Sequence, residues 1–408
     1  MDQIIEKARA IMETQRVEAE KICEKIFYRV LAVFREQQVS AQHFRTTTGY
    51  GYNDAGRDKL EQVYAALFGT ESALVRQNIV SGSHAITLAL AGNLLPGDEL
   101  LSLGLPYDTL QTVMGLNHPV PGSLQEYGVH CRIYDMDFSS PNLEEIQQQV
   151  TPKTKIVALQ RSRGYSKRPS LRVETITEIY QAVKTVRPDV IFFVDNCYGE
   201  FVEAIEPTMC GVDLMAGSLI KNPGAGVAPG GGYIVGREPY VERAAVRLTV
   251  PGAGKELGAT LSDPRAFYLS IFLAPQIVLE AKLGAVFTAA LMEQLGFKVS
   301  PSSTEQRGDI IQTITLGSPE RLIAFCQGIQ KYSPVDSFVK PVPWPMPGYD
   351  HDIIMASGSF VDGSSIELSA DAPLREPYTV FMQGGLNRWH TVYALTKTVL
   401  DMRENGLL

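Results

Sequence analysis

Residues 190–201 read VIFFVDNCYGEF: five apolar residues, an acid, then a turn of small and polar residues. A short unbroken run rich in β-branched and aromatic residues, closed by a turn, reads as a strand. The acid that ends it, Asp195, matters because open α/β sheets gather ligands beyond the carboxyl ends of their strands. Whether this strand belongs to such a sheet depends on what flanks it.

Working outward, strands alternate with helices. Lys155–Leu159, Val129–Tyr134, Glu99–Leu103 and Ser72–Val75 read as strands, and Val173–Arg187, Asn142–Val150, Asp108–Gly115 and Asp58–Gly69 as helices, with another helix opening at Ser81. That alternation predicts an α/β domain on a mainly parallel sheet. Ala266–Gln294 reads as a long buried helix; its most apolar window is too short to span a bilayer comfortably and includes Pro275 and Glu280. From about Gly296, strands (Ile310–Thr315, Ile353–Ala356, Ser365–Leu368) mix with helices (Glu320–Tyr332, Trp389–Met402), which predicts a smaller C-terminal α+β domain. Ile4–Phe34 reads as an amphipathic helix with room for one break. The expected units are residues 1–45, 46–285 and 286–408.

The 408 residues are 45% hydrophobic and 20% charged, enough for a sizeable core. A net charge of −8 argues against a binder of nucleic-acid backbone. Five scattered cysteines without a C-x-x-C pair read as reduced thiols, and the charged N-terminus carries no secretory pattern, so a cytoplasmic, soluble protein is expected. Asp350, His351 and Asp352 are adjacent in a proline-rich loop, and adjacent residues rarely converge on one ion; no metal is expected.

The chemistry gathers around a lysine. Lys221 stands in SLIKNPGAG, residues 218–226, where an apolar stretch turns at once into glycine and proline. It follows Asp195 by 221 − 195 = 26 residues. Upstream, VSGSHA (80–85) is a small-residue turn opening a helix, and Tyr107 follows the Glu99–Leu103 strand. Each feature alone is commonplace: a cap, a turn acid, a solvated lysine, a core aromatic. Their order points to pyridoxal phosphate, which needs a lysine to hold it as a Schiff base, an acid at its pyridine nitrogen and an anion site for its phosphate. Lys221, Asp195 and Tyr107 are the expected catalytic residues, Tyr107 stacking on the ring. Ser81, Gly82, Ser83 and Ser218 are the expected phosphate contacts, the first three at a helix N-terminus.

With those residues in view, the sequence resembles the fold-type I pyridoxal-phosphate enzymes of the cystathionine and methionine γ-lyase type, in the branch of aluminium-resistance, methionine γ-lyase-like proteins. The strings that carry the resemblance are QRSRGYS (160–166), VDNCYGEF (194–201), GSLIKNPGAGVAPGGGYIVG (217–236), PGAGKELGAT (251–260) and SADAPLREPYTVFMQGGL (369–386). The resemblance implies a large domain with a mainly parallel seven-stranded sheet between helices. It also implies a homodimer or homotetramer with shared active sites, and elimination at the β- or γ-carbon of a small amino-acid substrate. An aminotransferase, a racemase or a cofactor-binding regulatory scaffold are the alternatives. Two departures bear on the substrate. The family's Tyr-x-Arg loop reads GYGYNDAGR here, with Tyr50 or Tyr52 available and Arg57 at a different spacing. The family's carboxylate-binding arginine is replaced by Glu367, which leaves Arg163 or Arg375 to grip a carboxylate.

Overall fold

The computed structural model describes residues 1–116, 120–346 and 351–408, so Asp350 lies outside the described residues. In chain order the first part holds α1 (Asp2–Glu36), α2 (Ala55–Leu67), β1 (Ser72–Arg76), α3 (Gly82–Asn93), β2 (Glu99–Leu103), α4 (Asp108–Met114) and β3 (His130–Tyr134). Then follow α5 (Leu143–Gln149), β4 (Thr154–Gln160), α6 (Val173–Val186), β5 (Ile191–Asp195), β6 (Leu214–Ser218), β7 (Gly232–Gly236) and α7 (Glu238–Leu248). The long α8 (Pro264–Gln294) leads to β8 (Lys298–Ser300), β9 (Gln312–Thr315), α9 (Pro319–Lys331), β10 (Ile353–Ser357), β11 (Ser369–Pro373), β12 (Thr379–Gln383) and α10 (Arg388–Glu404).

The large sheet has seven strands in the order β1-β7-β6-β5-β4-β2-β3. β6, β5, β4, β2 and β3 are parallel, and β7 lies antiparallel between β6 and β1. The two-residue period of a strand divides its side chains between two cores. Phe192, Val194, Val157 and Leu159 face α2, α6 and α8; Ile191, Phe193, Ile156 and Ala158 face α3, α4 and α7. The smaller sheet, β10-β11-β12-β9-β8, is antiparallel throughout and covers α9 and α10.

The structure corrects two expectations. α1 is one unbroken helix of 35 residues. It lies along α8, with Phe27 edge-on to Phe272 at 5.2 Å, and buries Ile26 and Val30 in the large core and Ile5 and Met12 in the small one. α8 is the long helix expected over this stretch, and it serves the large core through Ile271 and Val278 and the small core through Leu283 and Phe287. Its 31 residues are long and apolar enough to cross a membrane on composition alone, yet most of that apolar window is buried inside the protein. Finally, Ser365–Leu368 forms no strand; β11 begins at Ser369. The Glu367 carboxylate turns back to accept the N–H groups of Phe360 (2.9 Å) and Val361 (3.0 Å), closing a loop where a strand was expected.

Candidate active site

Three turns at the carboxyl ends of the parallel strands, together with the N-terminus of α3, bring the expected residues to one place. β5 ends on Asp195, which is 4% exposed and accepts the Cys197 N–H at 3.1 Å. Burial raises its pKa above the ordinary carboxylate value, against the opposing pull of Cys197, Lys221 and Arg168. The chain then turns through Cys197 into Tyr198, whose φ of +70° is left-handed and strained for a tyrosine.

β6 ends on the buried Ser218, and the next turn carries Lys221 at the start of the short 3-10 turn Asn222–Gly224. Only glycine fits at 224, since a Cβ there would stand 1.6 Å from the Leu219 carbonyl oxygen. The turn is clamped from two sides. The Asn222 amide donates to the Glu200 carbonyl at 2.8 Å, and the Ser365 N–H, from the small domain, donates to the Ile220 carbonyl at 3.1 Å. The half-buried Lys221 amine lies 4.4 Å from the centre of the Tyr198 ring. Burial alone would lower its pKa, but Tyr198, Cys197 and Asp195 outweigh burial and hold the amine above its ordinary value. Tyr198 was missed by sequence reasoning; the available signal was an aromatic three residues after the acid, in the same turn.

At the N-terminus of α3, Ser81 is the cap residue and its Oγ accepts the His84 N–H at 3.1 Å. Its side chain thus caps the helix, while the phosphate contact expected of this turn is one of backbone N–H groups. Gly82 lies against the end of β6: a Cβ on it would sit 3.0 Å from Ser218 Cβ and 3.3 Å from Cys197 Sγ. Ser83 Oγ accepts the Tyr107 hydroxyl at 2.8 Å, which fixes that ring at the start of α4. Burial, reinforced by Asp195, pushes the Tyr107 phenol above its ordinary pKa, so it stays protonated. Gly82, Ser83, Tyr107, Asp195, Ser218 and Lys221 thus converge.

The expected substrate contacts do not converge in the same way. Arg163 is 2% exposed, and its guanidinium donates to Ser300 and Thr313 of the small domain, a tie between domains. Arg375 is exposed, donates to the Tyr165 carbonyl at 3.4 Å, and lines a cavity of about 460 Å³ together with Tyr107, Gln160, Tyr165 and Arg168. That cavity opens beside Tyr107 and does not reach Lys221. Tyr50 and Tyr52 are 75% and 58% exposed, side by side at 6.2 Å between ring centres. Arg57 does not stand in for the family arginine: it is buried, holding the carbonyls of Gly51 and Gly258 at 2.8 Å each. Lys255 donates to Ser72 at 2.9 Å and so holds its own loop onto β1. Glu367, in the family's arginine position, spends both oxygens on the loop described above. A second carboxylate was not anticipated. Asp371 on β11 is 5% exposed, with its Oδ2 accepting Tyr165 (3.0 Å) and Gln383 (2.8 Å), and burial raises its pKa to about 6.

The residues present fit pyridoxal phosphate. Glycine at 82 lets the start of α3 pack closely on Ser218 and Cys197, which places a helix N-terminus, a favourable seat for a phosphate, beside the Ser218 hydroxyl. A buried acid and a clamped lysine lie beyond, with Tyr107 and Cys197 as apolar neighbours.

This architecture is that of the fold-type I pyridoxal-phosphate enzymes. The pyridoxal-5'-phosphate dependent protein YhfS of Escherichia coli shares it with a TM-score of 0.61, over 95% of this chain and 97% of that one; at 15% identity the likeness shows the fold alone. The chain belongs to the methionine gamma-lyase family, whose pattern it matches over residues 1–403. It is 45% identical, with a TM-score of 0.96, to a Listeria monocytogenes protein described as a candidate cystathionine beta-lyase involved in aluminum resistance, over 98% of this chain and 99% of that one. It is 46% identical, with a TM-score of 0.94, to a carbon-sulfur lyase involved in aluminum resistance from Clostridium novyi, over 98% and 95% of the two chains. The Bacillus subtilis protein YnbB is 46% identical over 392 residues, 95% of this chain and 93% of that protein.

Proposed function

We propose that the chain is a pyridoxal-phosphate-dependent carbon–sulfur lyase acting on a small sulfur-containing amino acid. The observation that carries this reading is the clamped Lys221 turn at the end of β6, beside the buried Asp195 at the end of the adjacent β5 and facing the Gly82–Ser218 seat. The names of the full-length relatives from Listeria and Clostridium support the carbon–sulfur part of it.

Bound at this site, pyridoxal phosphate would supply an electron sink for a carbanion at the substrate α-carbon. The α3 N-terminus and Ser218 would hold its phosphate, and Asp195 would accept a hydrogen bond from its ring nitrogen. Tyr107, locked by Ser83, would cover the ring on one side and Cys197 on the other. Lys221 would take the α-proton on Nζ and return it to the departing sulfur. Tyr198 orients that amine through its phenol. Arg375, at the rim of the 460 Å³ cavity, is the guanidinium available for a substrate carboxylate. Glu367 does not line that cavity; its two oxygens turn away to accept backbone N–H groups of Phe360 and Val361.

The test is borohydride reduction after incubation with pyridoxal phosphate, followed by peptide mapping. A reduced adduct on Lys221 is expected, and a 2-oxo acid, ammonia and the sulfur leaving group should form from at least one of cystathionine, cysteine or methionine: a thiol from the first and last, hydrogen sulfide from cysteine. Absence of the adduct, or its appearance on another lysine, overturns the site. Turnover that yields an aminated cofactor or the opposite enantiomer instead favours transfer or racemisation over elimination.

A further inference from the structure

The small domain sets a buried carboxyl beside the Lys221 turn, one that neither holds the cofactor nor moves the α-proton. On β11, Ala370 and Ala372 point into the small core, so the alternation of the strand turns Asp371 the other way, towards the large domain. Asp371 is 5% exposed, and its Oδ2 accepts the Tyr165 hydroxyl at 3.0 Å and the Gln383 amide at 2.8 Å. Oδ1 makes no hydrogen bond among the described residues, yet it is not sealed from solvent. Asp371 has no ion pair among the described residues, although Lys221 acts on it electrostatically and the Tyr198 phenol feels both groups. An acceptor and an amine thus border one gap without closing it.

An amino acid arrives with its amine protonated, and an ammonium has no lone pair with which to attack. A base must take one proton before Lys221 can be displaced. The other groups around Lys221 are poor acceptors. Burial pushes the phenols of Tyr107 and Tyr198 and the thiol of Cys197 above their ordinary values, so all three stay protonated at neutral pH. Asp371 differs: burial raises it only to about 6, against the pull of Tyr165, Gln383 and Lys221, so at neutral pH it is ionised and can take a proton. Its remaining neighbours are Met355 and Phe381, opposite it on β10 and β12, and Cys326 behind the strand, whose thiol is kept protonated by burial.

We propose that Asp371 is a further catalytic residue, whose Oδ1 accepts a proton from the substrate ammonium as the substrate enters between the domains. The N–H bond breaks, its electron pair stays on nitrogen, and the proton bonds to Oδ1; the freed amine then displaces Lys221. This role rests on the reading of Lys221 as the residue that holds pyridoxal phosphate.

The test uses the full-length protein loaded with pyridoxal phosphate, mixed rapidly with L-alanine or methoxyamine while absorbance follows the displacement of Lys221. At neutral pH alanine is an ammonium, whereas methoxyamine is already a free amine. Asp371→Asn should slow alanine by roughly 10²-fold and methoxyamine by less than about threefold, with the alanine deficit shrinking as rising pH strips its proton. Tyr165→Phe keeps the carboxyl but loses a donor that lowers its pKa, so the acid limb of the alanine rate should move to higher pH. A binding measurement needs no turnover. N,N-dimethylglycine keeps one ammonium N–H but cannot condense with the cofactor, and betaine has no N–H at all. Calorimetry should show the parent preferring dimethylglycine and Asp371→Asn binding the two alike. The proposal is overturned if the variant slows both amines equally, if the acid limb of Tyr165→Phe does not move, or if the parent fails to prefer dimethylglycine. Borohydride labelling separates this role from the cofactor reading: with Lys221 labelled, those results remove Asp371 alone, and with no adduct on Lys221 both fall.

Discussion

Glu200→Gln should stabilise the protein, and increasingly so as pH rises. Glu200 is fully buried beneath the Lys221 turn; Tyr233 donates to its Oε1 at 2.7 Å and its Oε2 has no partner. Burial, with Glu206 and Asp195 nearby, raises its pKa from 4.5 to about 8. The sign follows from linkage: between those two values the unfolded chain releases the proton while the folded chain keeps it, so stability contributed at low pH is lost as pH rises from 4.5 towards 8. At about 1.4 kcal/mol per pH unit, the folded state has given up roughly 3 kcal/mol by neutral pH. Glutamine has the shape of the protonated acid and cannot ionise, so it removes that loss. Urea unfolding of both proteins at a series of pH values is the assay. The advantage of the variant should be under about 1 kcal/mol near pH 5 and grow by about 3 kcal/mol by pH 8. A constant difference between the two proteins across that range would show that Glu200 ionises normally in the folded state, and the argument would fail.

Gly82→Ala should fold normally yet weaken pyridoxal-phosphate binding by at least about tenfold, because its Cβ meets Ser218 and Cys197 at 3.0 and 3.3 Å. Fluorescence titration reads this, and unchanged affinity would remove the seat from the reading. Tyr198→Phe takes away the phenol that helps hold the Lys221 amine above its ordinary pKa, so acylation of Lys221 in cofactor-free protein should set in at lower pH. A superimposable acylation profile would count against that contact. Glu367→Gln loses one of two backbone acceptors and should cost about 1–3 kcal/mol in stability without improving the affinity for carboxylate substrates. Tighter substrate binding with no loss of stability would show instead that its charge faces the substrate.

Most of the large domain was legible because its strands are short apolar runs closed by turns, and its helices carry a regular apolar face. β6 and β7 were harder to read as strands: LMAGS and GYIVG are short and glycine-containing, and both are held by their neighbours in the sheet. The residues that touch the lysine were legible from their order, since each closes a strand or opens a helix. Tyr198 was not, because nothing in its own sequence position shows that a left-handed backbone swings its ring beneath the amine. Arg163 and Arg57 illustrate the opposite failure. Both have the right chemistry for a carboxylate, but only three-dimensional packing reveals that the outer nitrogens of Arg163 are committed to Ser300 and Thr313, and Arg57 to Gly51 and Gly258.

That spending shapes what the site can ask of a substrate. The small-domain wall presents a buried carboxyl, Asp371, linked through Tyr165 to the cavity that Arg375 borders. An exposed arginine holds a carboxylate by about 0–1 kcal/mol, far less than a buried bidentate pair. If Arg375 takes the substrate carboxylate as proposed, that contact would contribute little until its loop is shielded from water, and discrimination would fall to the polar face of β11 and β12 instead. Asp371 and Gln383 lie on that face as a hydrogen-bonded pair at 2.8 Å, and Lys221 acts electrostatically on the same carboxyl. A substrate group that donates to Asp371 would thus be sensed directly by the amine that moves the proton, which couples binding at the small domain to chemistry at the large one.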